Sequence, residues 1–136
     1  MNLKKSYKGI FILILLMIVF IVGICFLPEE IMTAGLITRI IDIFTAVWIA
    51  LLTFVIYKTE YVYWYNGVTY EEAVKAGSER RKMYALEHFK RFGIFAAAFA
   101  VFSVATGYFG VPFWIDMVVL FIGLIWIAIG TIKIKL

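Results

Sequence analysis

Glutamine is absent from this chain, asparagine occurs only as Asn2 and Asn66, and there is one cysteine, Cys25, and one histidine, His88. A single cysteine excludes an intrachain disulfide, a structural zinc site and a paired redox motif. In an apolar stretch Cys25 reads as a small buried hydrophobe. A single histidine cannot supply both axial ligands of a haem within one chain. No HExxH, GxSxG or glycine-rich phosphate loop is present, so no familiar catalytic motif marks an enzyme, and none marks a cofactor site. Scarce amides fit a thermophile. Membrane spans deplete amides too, so both explanations stay open.

Charge is scarce as well. Charged residues make up 16% of the chain and hydrophobic ones 65%, and mean hydropathy is +1.00. A soluble domain is nearer about 25% charged and 45–50% apolar. What is present instead is four apolar blocks, each about as long as a bilayer-crossing helix. A chain of 136 residues has no soluble core large enough to hide four of them. The expected fold is an all-α integral membrane domain of four transmembrane helices in an antiparallel bundle. The spans are placed at 9–27, 38–60, 92–109 and 113–132, with a polar connector at 61–91.

Lys4, Lys5 and Lys8 precede the first apolar run. That run is too long for a signal-peptide core, and no small-residue cleavage site follows it. A retained span ended by Pro28 is expected. The second span opens with charge, Arg39 and Asp42. They stand three apart, so a helix brings them within pairing distance. Tyr57, Tyr61 and Tyr65 repeat at four-residue spacing, as interfacial aromatics do where a helix leaves lipid. Asn66-Gly67 is the expected stop for that protruding helix.

Thr69-Tyr70-Glu71-Glu72 is a capping-box pattern. A short helix to Ala76 is expected, then a break at Gly77-Ser78, then a helix running on into the third span. Glu71 with Lys75, and Glu87 with Arg91, are spaced for i, i+4 pairing. Gly93, Ala96, Ala100, Ser103 and Gly107 follow heptad-like spacing and are all small. They are the expected helix-packing seam, because small residues let helices approach closely in lipid. Phe95, Phe99 and Phe102 are expected mostly off that seam. Gly123 and Gly130 suggest a second seam on the fourth span.

Twelve of the thirteen lysines and arginines lie in the first eight residues, between Lys58 and Arg91, or in the last four residues. Arg39 is the exception. By the positive-inside rule both termini and the connector are cytoplasmic in a multi-pass protein of the cell membrane. Glu29, Glu30, Asp42 and Asp116 then face outward with Arg39. The net charge of +4 flanks apolar spans, so anionic lipid headgroups are the expected counterions and nucleic acid is not.

Three places can carry function. The first is Arg39, Asp42 and Asp116, where charge at membrane depth is costly and so suggests an ion or proton path; a plain interfacial ion pair is the simpler reading. The second is His88 with Glu87 and Tyr84, a candidate proton or pH site, or only an interfacial aromatic. The third is the basic face of the connector, Arg80, Arg81, Lys82, His88, Lys90 and Arg91, as a surface for anionic lipid or a partner protein; ordinary flanking charge explains it as well.

The stretch YNGVTYEEAVKAGSERRKMYALEHFKRFG, within Ile43 to Ile132, resembles a family of small prokaryotic multi-spanning membrane proteins. These look distantly like bacterial toxin-immunity membrane proteins. The resemblance implies no catalytic residues. The expected role is a non-enzymatic accessory, scaffold or immunity-type component that acts by helix packing with itself or a partner. The rival expectation is a small oligomeric transporter or channel that uses the outer charges of spans two and four.

Overall fold

The computed structural model describes residues 3–28, 30, 32–65 and 67–136. Its helices are α1 (Lys8–Cys25), α2 (Ala34–Thr59), α3 (Tyr70–Tyr108) and α4 (Phe113–Ile132), and a 3-10 turn at Val62–Trp64 joins α2 to α3. All four helices are long and apolar enough to cross a bilayer. Even α1, at 18 residues, rises about 27 Å at 1.5 Å per residue. Glu29, expected on the outer face, and Asn66, expected at the helix stop, lie outside the described residues.

The core is small and lies among α2, α3 and α4. Ala46 and Ala50 of α2 meet Ala96 and Phe99 of α3, with Leu120 of α4 closing the layer. Alanines facing alanine let the backbones approach, and the gain is dispersion rather than exclusion of water. Phe99 is 2% exposed, which corrects the expectation that it lies off the packing face. The packed face of α3 is Ala96, Phe99, Ser103 and Thr106. Of the expected seam, Ala96 and Ser103 are buried, Gly93 and Ala100 are half-buried, and Gly107 is exposed at the edge. Gly123 on α4 leaves a notch that the Phe95 ring fills; a Cβ there would collide with it. Small and large residues thus sit opposite each other across α3 and α4. None of the α1 side chains is buried, and Cys25, expected as a small buried residue, is exposed on this outer helix. That helix leans on α2 through Phe20 stacked on Phe44, with centroids 3.8 Å apart.

α2 does not run on to Asn66-Gly67. It stops at Thr59, and Glu60 takes a left-handed conformation, φ 61°. Such a φ is uncommon outside glycine and asparagine. The Glu60 carboxylate is anchored by Ser78 and Arg81, which hold the residue there. Tyr61 and Tyr65 therefore leave the helical face they were expected to share with Tyr57. Instead the chain folds back, and Val62 and Tyr63 are buried in an aromatic cluster with Tyr84 and Ala85.

The capping box forms as expected. Thr69 Oγ1 accepts from the Glu72 backbone N–H, and the Glu72 carboxylate accepts from the Thr69 backbone N–H at 2.8 Å. The break forms too: Gly77 has φ 78° and ψ 166°, inside an otherwise helical run.

Contacts gather both termini and the connector at one end. The Ser6 backbone N–H donates to Tyr63 Oη at 2.8 Å. Trp64 Nε1 donates to the Ser6 carbonyl at 2.9 Å. Tyr70 Oη donates to the Leu3 carbonyl at 2.6 Å. Ile134 and Leu136 pack on the same cluster. The start of α2 and the turn between α3 and α4 meet at the other end, through Arg39 and Val111.

Candidate functional site

At the end away from the connector, Arg39 is the hub. Its Nη1 donates to Asp116 Oδ2, to Thr106 Oγ1 at 2.7 Å and to the Ser103 carbonyl at 3.2 Å. Its Nη2 donates to the Val111 carbonyl. Asp116 is fully buried. It accepts from Ser103 Oγ at 2.5 Å and from Thr106 Oγ1 at 2.8 Å. One guanidinium on α2 thus binds a carboxylate on α4, and two hydroxyls on α3 brace the pair. Planar forked donors suit this role, and a lysine would not reach the same set. Removing either partner of such a buried pair costs about 3–5 kcal/mol.

The spacing of Arg39 and Asp42 suggested that they pair. They do not. Arg39 is turned toward α3 and α4, where acceptors surround it, and Asp42 Oδ2 is buried with no hydrogen-bond partner among the described residues. Asp42 is 8% exposed. A cavity of about 630 Å³ reaches Arg39 from this end, lined by Gly35, Gly107, Val111 and Phe113 among others. Ser103 was expected only as a seam residue, and Thr106 had no assigned role. Two hydroxyls a helical turn apart, among apolar neighbours, were the available signal.

A second polar cluster joins α2 to the start of α3. Arg81 Nε and Nη2 donate to Glu60 Oε2 at 3.0 and 2.7 Å, and Ser78 Oγ donates to Glu60 Oε1 at 2.7 Å. Arg81 Nη1 reaches the Ala73 carbonyl at 2.9 Å, across the Gly77 break. Arg81 is 4% exposed. It was expected among the headgroups; it is a buried tie instead, because the break at Gly77 turns it inward toward Glu60. Burial acts to raise the Glu60 carboxyl. The hydrogen bonds from Ser78 and Arg81, with the charges of Arg81 and Lys82, outweigh it and hold the group below the usual carboxylate range.

His88 is buried rather than interfacial. It lies between Tyr65 and Tyr84, with centroids 4.4 Å from each. The Tyr84 carbonyl, 2.9 Å from Nδ1, takes the Nδ1 proton, and this assigns Nε2 as the bare nitrogen. Burial pushes the imidazole below its ordinary pKa, with the nearby Arg91 charge acting the same way. Glu87 does not join it. Glu87 is paired with Lys90 at 3.3 Å, not with Arg91 as spacing suggested. Arg91 donates to the Gly130 carbonyl at 3.2 Å, since α4 ends within its reach. Glu71 forms no ion pair with Lys75 among the described residues.

Arg80 is exposed, and so are Lys82 and Lys90 at 55% each. Of the six residues expected on a basic contact face, Arg80, Lys82, Lys90 and Arg91 remain at the surface, while Arg81 and His88 are inside. Among the described residues no three histidine, cysteine or acidic side chains converge on a metal-sized site.

No family model matches the chain, and neither does any curated protein or solved structure. Four helices able to span a bilayer mark a small multi-span membrane protein.

Proposed function

We propose that this chain is a non-enzymatic component of the cell membrane, with both termini and the connector in the cytoplasm, acting as an accessory or scaffold by helix packing. The observation that carries this reading is the commitment of Arg39. All the described acceptors around it lie on helices or turns of the same bundle. Charge at membrane depth here ties helices together, as expected of a packing element. The bare flank of α1 leaves surface for lipid, a second copy or another membrane protein. An immunity-type role rests on the sequence resemblance alone.

The test is purification in mild detergent with mass determination of the intact assembly. A defined oligomer or a copurifying membrane protein supports the reading. A bare monomer that conducts ions in liposomes contradicts it.

One observation favours the second reading, a small transporter or channel. Asp42 offers a buried carboxylate oxygen with no hydrogen-bond partner among the described residues, one turn along α2 from Arg39, which a cavity reaches. Proton or cation flux into liposomes that is lost in Asp42→Asn supports transport. No flux above empty liposomes removes it.

A further inference from the structure

At the connector end, a cavity of about 620 Å³ opens between the two parts of α3 and the residues that follow α4. Lys75, Arg80 and Lys135 line it together with Glu72, His88 and Leu136 among others. None of the three cations has a carboxylate within 4.0 Å among the described residues. Glu72 already accepts two hydrogen bonds from Thr69. The break at Gly77 is what brings the cations together. In an unbroken helix, residues five apart point about 140° away from each other. Lys75 and Arg80 stand on opposite sides of the non-helical Gly77, and both face the cavity.

The cavity is far larger than a phosphate ion and within the roughly 300–1,000 Å³ of small-molecule sites. Its remaining wall is mixed, with Tyr84, His88 and Thr131 beside Val68 and Ile134, and it ends on Ile132 at the end of α4. Ile132 continues an exposed stripe with Phe121, Ile125 and Ile129, spaced to share one helical face. Free cations at the mouth and an apolar track leading away match an amphiphile with an anionic head. Basic pockets beside membrane helices bind lipid headgroups in this way.

We propose that this cavity holds the phosphate headgroup of a single anionic phospholipid, whose acyl chains lie along α4. Lys75, Arg80 and Lys135 supply charge-assisted hydrogen bonds to the phosphate. The site depends on the helices crossing a bilayer and is indifferent to which leaflet faces it. It makes the connector a lipid-reading element rather than a general basic surface.

The test uses the full chain in mild detergent, titrated with phosphatidylglycerol or phosphatidylcholine and read by native mass spectrometry. Arg80→Gln/Lys135→Gln is compared with Lys8→Gln/Lys90→Gln, which removes as much charge outside the cavity. All four side chains are exposed, so helical content is expected to be unchanged. One phosphatidylglycerol per chain is expected, with phosphatidylcholine at least about tenfold weaker. The cavity variant loses about tenfold or more in phosphatidylglycerol affinity, and the control variant keeps it. Equal binding of both lipids, or an equal loss in the control, overturns the site. Displacement of the lipid by an equal concentration of glycerol phosphate overturns the lipid assignment. A chain that stays in solution without detergent overturns the bilayer reading itself, whereas a detergent-dependent chain without lipid preference overturns only the site.

Discussion

Arg81 reaches back across the Gly77 break to Glu60, with its Nη2 2.7 Å from the carboxylate, and both side chains are buried. This pair fixes where α2 stops and how α3 begins. Glu60 is also the described non-glycine residue with a left-handed backbone, so the tie holds a conformation as well as two helices. Arg81→Met leaves the Glu60 charge buried without its main partner. It is expected to lose about 3–5 kcal/mol of stability, measured by denaturant unfolding in detergent. Glu60→Gln/Arg81→Met should recover part of that loss, because the uncompensated charge is gone. An additive double variant contradicts the pairing.

Acid should loosen the same end. The folded Glu60 carboxyl lies below its ordinary range, so its contribution is present above the unfolded pKa near 4.5 and fades as pH falls through the folded value. The folded His88 imidazole also lies below its ordinary value of 6.5. Between its folded pKa and 6.5 the unfolded chain binds the extra proton, so stability falls as pH drops below 6.5. Wild-type melting temperature is expected to decline in that higher window and again in the carboxylate range. His88→Phe, which keeps a ring between Tyr65 and Tyr84, should abolish the first decline and retain the second.

The two aspartates of the far end should not behave alike. Asp116→Asn removes the carboxylate that balances Arg39, and about 3–5 kcal/mol is expected to be lost. Asp42→Asn alters a carboxylate with an unpartnered oxygen; it is expected to shift stability by no more than about 1 kcal/mol. Equal losses in the two variants, read by thermal unfolding, contradict the observed partnership.

Gly77 tests the break by backbone alone. Its φ of 78° and ψ of 166° lie in a region essentially reserved for glycine. A Cβ built there meets nothing within 4 Å, so Gly77→Ala has no collision to add. A loss of about 1–3 kcal/mol is expected, with weaker Glu60–Arg81 coupling in a double-mutant cycle. An unchanged melt contradicts the broken geometry.

Local rules made much of this legible. The Thr69–Glu72 cap, the break at Gly77 and the four apolar helices each depend on residues a few positions apart, and composition or spacing displays them. The polar ties depend on residues far apart in sequence. Arg39 lies 77 positions from Asp116, and i, i+3 spacing offered Asp42 instead. Arg81 read as a headgroup cation because its neighbours Arg80 and Lys82 are exposed, and only the turn at Gly77 sends it inward. The stop at Thr59 was hidden because glutamate is not a left-handed residue by preference; a carboxylate held by Ser78 and Arg81 imposes it. Phe99 was misplaced because a run of small residues on α3 suggested a narrow seam, while the small residues Ala46 and Ala50 that make room in its cluster stand on α2.

The central claim is a bilayer crossed by α1 to α4, with both termini and the connector on its cytoplasmic side. The most direct measurement is labelling of single cysteines in intact cells with a membrane-impermeant maleimide. Cys25→Ala serves as background, with Glu30→Cys, Lys75→Cys and Lys135→Cys introduced one at a time. Glu30→Cys alone is predicted to react before permeabilisation, and all three after it. Reaction of Lys75→Cys or Lys135→Cys in sealed cells would contradict the arrangement.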